Sequence, residues 1–221
     1  MNFLQICQRV RSETGVSGDG PSNVAGQVGM YKKLVDWVQA AHEEIQLRSP
    51  KWRFDWASHS AALTGGTERY LPSDVWSLDV RNWDFDSLYV YPTSEGVQSR
   101  TWLAQVDYNT YRQIRLPSVQ GRPVHVSEAP DTALNLYPIP SDGLVFVGDY
   151  YKKPMVLVNN TDQPRIPLEY RMAIVWRAVM FWASSEENPA LFQTAQQNFR
   201  SMMLKMEVTE LDGPSETEPL A

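Results

Sequence analysis

Three histidines, one cysteine and a run of aspartates are the side chains with chemistry to offer. His42, His59 and His125 stand far apart, and none has metal-ligand spacing to another histidine or to Cys7. His42-Glu43-Glu44 begins like a zinc-protease helix, but Gln46 occupies the place of the second histidine. His42 therefore belongs to a helix stripe, and His125 to an alternating strand. Asp79, Asp84 and Asp86, with Asn82 nearby, form the densest carboxylate group. Paired carboxylates bind calcium or split glycosidic bonds. The calcium-loop pattern is missing, and aspartates in a Trp-rich hairpin are expected to form turns. There is no Gly-x-Ser-x-Gly elbow, no Gly-x-x-x-x-Gly-Lys loop and no Gly-x-Gly-x-x-Gly fingerprint. Gly65-Gly66 and Gly18-x-Gly20 are turn signals. A serine nucleophile needs a positioned base, and the sequence supplies no such pair. The expectation is a protein that is not an enzyme and carries no cofactor and no metal.

The elements that would position these residues are helical at both ends. Phe3, Ile6, Cys7 and Val10 share one face of a helix from Asn2 to about Glu13, and Gly15–Pro21 ends it. A second helix is expected from a cap at Ser22 or Asn23 to about Arg48. Val24, Val28, Tyr31, Val35, Val38, His42 and Ile45 form its stripe, and Met30, Leu34, Trp37 and Ala41 form another beside it. From Lys51 to about Gln163 short runs alternate apolar and polar residues between Gly, Pro, Asp and Ser. Strands are expected at Thr67–Leu71, Val75–Val80, Ser87–Tyr91, Pro123–Val126, Ala133–Tyr137 and Leu144–Tyr151, with a helical turn or two over Asp107–Ile114. Helical spacing returns after Pro167. Leu168, Met172, Val175, Val179 and Trp182 make one stripe, and Ile174, Ala178 and Phe181 another. Asn188-Pro189 is a cap followed by proline at the first helical position, opening a helix with Phe192, Ala195, Phe199, Met202 and Met206 in line.

The fold class that follows is α+β. The helices of residues 1–50 and 165–208 form one bundle, residues 51–164 form an inserted small antiparallel β lobe, and residues 209–221 form an acidic, flexible tail. Eight Trp, ten Tyr and seven Phe exceed what one core of 221 residues needs, so part of that aromatic surface is expected at subunit contacts. Phe181, Trp182, Phe192, Phe199, Met202, Met203 and Met206 are the candidate interface with a partner protein or a neighbouring subunit; methionine adapts well to a docking surface. The formal charge of −6, from 20 Lys+Arg against 26 Asp+Glu with no basic run, excludes tight binding to the nucleic-acid backbone. No stretch reaches the length of a membrane span, and no signal-peptide layout opens the chain. Cys7 alone forms no internal disulfide, and folding in a reducing cytoplasm is expected.

Several segments in order resemble the head-to-tail adaptor (connector) proteins of tailed bacteriophages. They are the helix pair Phe3–Arg11 and Val24–Arg48, then Gly66-Thr67-Glu68-Arg69-Tyr70-Leu71-Pro72-Ser73-Asp74, then Leu134-Asn135-Leu136-Tyr137-Pro138-Ile139-Pro140 before Asp142-Gly143. Tyr150-Tyr151-Lys152-Lys153-Pro154 is similar to the family's final strand, and Asp162-x-Pro164-x-Ile166-Pro167-x-x-Tyr170 to its entry into the last helices. The resemblance implies a structural virion protein at the head–tail junction, assembled as a dodecameric ring on the portal protein and followed by a tail, stopper or nozzle protein. DNA would pass through the lumen on its way into the tail, without sequence-specific binding. A ring needs two different faces on each subunit, which multi-striped helices can supply. Three alternatives stay open at this point: another connector component such as a stopper or tail-completion protein, a carbohydrate-binding module using Trp52, Trp56, Trp76 and Trp83, and a hydrolase built on the aspartates.

Overall fold

Asn2 opens the first helix by a reciprocal cap: its side chain accepts from the Gln5 N–H, and the Gln5 side chain accepts from the Asn2 N–H, both at 2.9 Å. The resulting helix, α1 (Phe3–Thr14), stops at Gly15, whose left-handed φ of 68° closes the last turn. In this computed structural model the described residues are 1–211. After α1 come α2 (Gly29–Leu47), β1 (Trp56–Ala62), β2 (Arg69–Tyr70), α3 (Pro72–Val75) and β3 (Val80–Pro92). Then follow β4 (Thr101–Trp102), β5 (Ala104–Gln105), α4 (Tyr108–Ile114), β6 (Gln120–Gly121), β7 (His125–Glu128) and β8 (Leu134–Tyr137). The chain ends with β9 (Ile139–Pro140), β10 (Leu144–Lys152), α5 (Met172–Ser185) and α6 (Pro189–Glu210). Two compact units result: Met1–Phe54 with Pro154–Ala221, and Asp55–Lys153.

The first unit is a helical bundle. Phe3, Ile6 and Val10 of α1, Leu34, Val38 and Ile45 of α2, Ile174, Val175 and Val179 of α5, and Phe199, Met203 and Met206 of α6 share one core. Each such side chain contributes about 1.5–3 kcal/mol on burial. Asn188 caps α6 through the Leu191 N–H at 3.1 Å, with Pro189 at the first helical position. The Asp162–Tyr170 motif acts as a clasp. Asp162 accepts from the Val158 and Asn159 amides, its backbone oxygen holds the Phe3 N–H, and Arg171 donates to the carbonyls of Met1, Pro164 and Ile166.

The second unit holds two four-stranded sheets, in the orders β1-β10-β3-β4 and β2-β8-β7-β5, and a two-stranded ladder of β6 with β9. The first sheet is antiparallel throughout, whereas β5–β7 and β6–β9 pair parallel. An aromatic stack fills the interior. Trp76 lies flat on Tyr70 (5.5 Å) and Phe146 (5.2 Å) and meets Trp83 edge-on. Gly148 of β10 sits where a Cβ would run into the Leu88 side chain. There the register against β3 shifts by a bulge that the Ser87 hydroxyl closes, donating to the Asp84 carbonyl and accepting from the Asp149 N–H.

Several expectations are corrected. The helix expected from Ser22 or Asn23 starts at Gly29. Asn23 bonds the Ala25 N–H instead of capping, and Gly26 and Gly29 adopt left-handed φ values of 71° and 58°. The strand expected at Val75–Val80 is the end of α3, opened by Pro72, followed by Ser77 at positive φ; β3 begins only at Val80. Asp84 and Asp86 therefore lie inside a long strand and form no turn. Strand β1 was not expected at all. Thr209 and Glu210, expected in the tail, complete α6, and residues 212–221 of that tail lie outside the described residues.

Candidate functional site

The residues with the richest chemistry do not converge. His42 is buried in the bundle, while His59 and His125 lie on β1 and β7 of the other unit. Burial, with Arg165 and Arg171 adding to it, pushes the His42 imidazole down to about 4. Its Nδ1 meets the Gln46 amide at 3.3 Å. Burial also pushes the Cys7 thiol up to about 12, which leaves it a small core side chain. Asp79 pairs with Lys153 at 3.4 Å, and Asp84 lies across the ladder from Asp149. Among the described residues, no group of three or more His, Cys, Asp or Glu is placed to hold a metal ion.

The aromatics expected to be open for sugars are mostly interior. Trp52 and Trp83 are buried and Trp76 is stacked in the core, so of that set only Trp56 is exposed. The four-tryptophan platform expected for a carbohydrate-binding module is therefore not formed.

The helical surface divides more finely than its stripes suggested. Phe199, Met203 and Met206 are packed inside the bundle. Phe181 lies under the Arg177 guanidinium at 4.4 Å, and Arg177 is held by Glu44 at 2.8 Å. Trp182 is half-buried, and Phe192 lines a depression at the α5–α6 turn with Ala183 and Pro189. Met202 lines a groove with Tyr170, Leu204, Lys205 and Val208. Leu204 and Val208 are 54% and 82% exposed, one helical turn apart, and Leu168 is exposed at 64%. Leu204 and Val208 fall outside the main stripe of α6; their apolar i, i+4 spacing on an otherwise polar face is the sequence signal for them.

The second unit carries another surface that the sequence did not single out. Trp102 on β4 is 52% exposed and meets Tyr89 of β3 edge-on at 5.1 Å. The Arg100 guanidinium lies over both rings, 5.4 Å from Trp102 and 6.0 Å from Tyr89. Tryptophan, tyrosine and arginine are the residue types that dominate protein interfaces.

Both surfaces suit protein contacts, and the described residues gather no catalytic constellation. No helix among them is long and apolar enough to cross a membrane. No curated protein matches the chain. The family described as SU10 adaptor protein matches it over residues 1–218, from the capped start of α1 past the end of α6. The chain belongs to this family of phage head-to-tail adaptors, structural components of the virion.

Proposed function

We propose that the protein forms a ring beneath the portal, joins head to tail without catalysing a reaction, and lets DNA pass through its lumen. The ring is dodecameric in this reading, and a tail, stopper or nozzle protein follows it. The observation that carries the proposal is the family match over residues 1–218. The net charge of −6 with no basic run supports a lumen that DNA crosses without sticking.

Docking to the portal is assigned to the α5–α6 face. Met202, Leu204, Val208 and Leu168 make the contact, flanked by Phe181, Trp182 and Phe192. Phe199, Met203 and Met206 hold α6 from beneath. The support is the exposed apolar pair beside the Tyr170 groove, which nothing among the described residues covers.

Electron microscopy of the chain co-expressed with its portal protein tests this directly. Rings stacked on the portal are expected. A chain that never associates with the portal would overturn the assignment.

A further inference from the structure

The sheet β1-β10-β3-β4 has two free edges of different character. The Leu63 N–H donates to the Leu144 carbonyl at 2.8 Å, one step beyond the β1–β10 register. Opposed residues in an antiparallel ladder alternate between exchanging both bonds and exchanging none. Ala57, His59 and Ala61 therefore bond to β10, and the backbones of Ser58, Ser60 and Ala62 point away from it. These outward groups have no partner among the described residues.

Natural edge strands are blunted by charge, proline, bulges or shortness. Strand β1 has none of these. Its seven residues, Trp56-Ala-Ser-His-Ser-Ala-Ala62, hold no Lys, Arg, Asp, Glu or Pro, and its register against β10 runs without a shift. Strand β3, by contrast, carries Asp84, Asp86 and the Ser87 bulge, and has β4 paired along one end.

The opposite edge ends in Trp102. The Leu103 N–H donates to the Leu88 carbonyl at 2.9 Å, so the same alternation turns the Trp102 backbone away from β3. The Arg100 carbonyl points the same way, while the Arg100 N–H is held by Val97 at 3.1 Å. Four strands in antiparallel order make β1 and β4 run in opposite directions. A second copy set beside the first therefore continues the ladder with correct polarity.

The faces match as well. Ser60, Val147, Tyr89 and Trp102 lie in one row across the sheet, on one face. Past Trp56 at its start, that face of β1 offers the small side chains Ser58, Ser60 and Ala62, all exposed. A large ring on one edge thus meets a shelf of small residues on the other.

We infer that β4 of one copy pairs antiparallel with β1 of the next, Trp102 opposite Ser60, so that neighbouring subunits of the ring are joined sheet to sheet. Trp102 exchanges both bonds with Ser60, and the Ala62 N–H donates to the Arg100 carbonyl, a ladder of about three bonds. The contact is heterologous, as a closed ring requires. It is also small. A strand pair of this length covers far less than the roughly 1,200–2,000 Å² of a stable interface, so free copies stay apart until a portal gathers them. This inference rests on the ring reading and names the contact within it.

The test uses the full-length chain, with and without its portal protein. Ser60→Pro removes an N–H that β10 does not use, so the circular dichroism spectrum and melting curve are expected to match the wild type. Ser58→Lys with Ser60→Lys leaves the backbone intact and places charge on the shelf. Both variants are expected to bind the portal with several-fold fewer copies and incomplete rings. Ser60→Cys with Trp102→Cys is expected to give a ladder of disulfide-linked multimers on assembled rings and none in the free chain; buried Cys7 gives no background. Complete rings from the proline and lysine variants, with no 60–102 cross-link, would sink the strand pairing and leave the ring reading standing. If the wild-type chain itself forms no ring on the portal, the ring reading fails and the pairing fails with it.

Discussion

Gln46 and Met155, 109 residues apart in sequence, are joined by two hydrogen bonds. The Met155 N–H donates to Gln46 Oε1 at 2.7 Å, and Gln46 Nε2 donates to the Met155 carbonyl at 3.1 Å. A side-chain amide here does what a neighbouring strand would do. Gln39, seven residues earlier on α2, repeats half of it by donating to the Leu157 carbonyl at 2.8 Å. The segment leaving β10 is thereby tied to the bundle with no ladder of its own. Gln46→Leu leaves both backbone groups of Met155 without partners. An orphaned buried group costs about 1–3 kcal/mol, and these two are part-buried, so denaturant unfolding is expected to show a loss of about 1–2 kcal/mol. Equal stability of wild type and Gln46→Leu would show that water replaces the clamp at no cost.

His42 sits one turn before Gln46 and sets an acid limit on the bundle. Its pKa falls from 6.5 to about 4 in the folded chain, first through burial, then through Arg165 and Arg171. The unfolded chain therefore takes up this proton first as pH drops. The contribution is complete above pH 6.5 and is lost between pH 6.5 and about 4, up to roughly 3 kcal/mol in total. His42→Leu is expected to flatten the unfolding free energy across that window. An unchanged pH slope in the variant would assign the acid sensitivity to other groups.

Cys7 reports on opening of the same core. A thiol raised to about 12 and buried on α1 forms almost no accessible thiolate at pH 8. Alkylation of the native chain is expected to be slow and to follow the opening of α1, and Phe3→Ala is expected to speed it several-fold. Native and unfolded chains that label at one rate would contradict this packing.

Local signals carried the ends of the chain. Gly15 after α1 and Asn188-Pro189 before α6 each end or open a helix within a few residues, so they were legible in sequence. What failed depended on distant partners. Strand β1 is a Ser/Ala run without an apolar alternation, and it is a strand because β10 pairs with it. Asp84 and Asp86 looked like turn residues, yet the Ser87 bulge and the length of β10 keep them extended. The candidate surfaces were half legible for the same reason. A wide stripe shows that α6 buries a face, but only packing decides that Met203 and Met206 go inside while Leu204 and Val208 stay out.

That division gives the docking face a sharp test. At about 100° per residue, Leu204 and Val208 share a line on α6 turned away from Met203 and Met206. Leu204→Asp with Val208→Asp changes exposed side chains only, so stability is expected to stay within about 0.5 kcal/mol for each. Co-sedimentation with the portal is expected to be lost, because a contact that covers these positions would bury two unpaired charges. Met206→Asp places a carboxylate at a site with no exposure and is expected to unfold the bundle outright. Normal portal binding by the double variant would move the docking face away from Leu204 and Val208, and the depression around Phe192 at the α5–α6 turn would be the next surface to change.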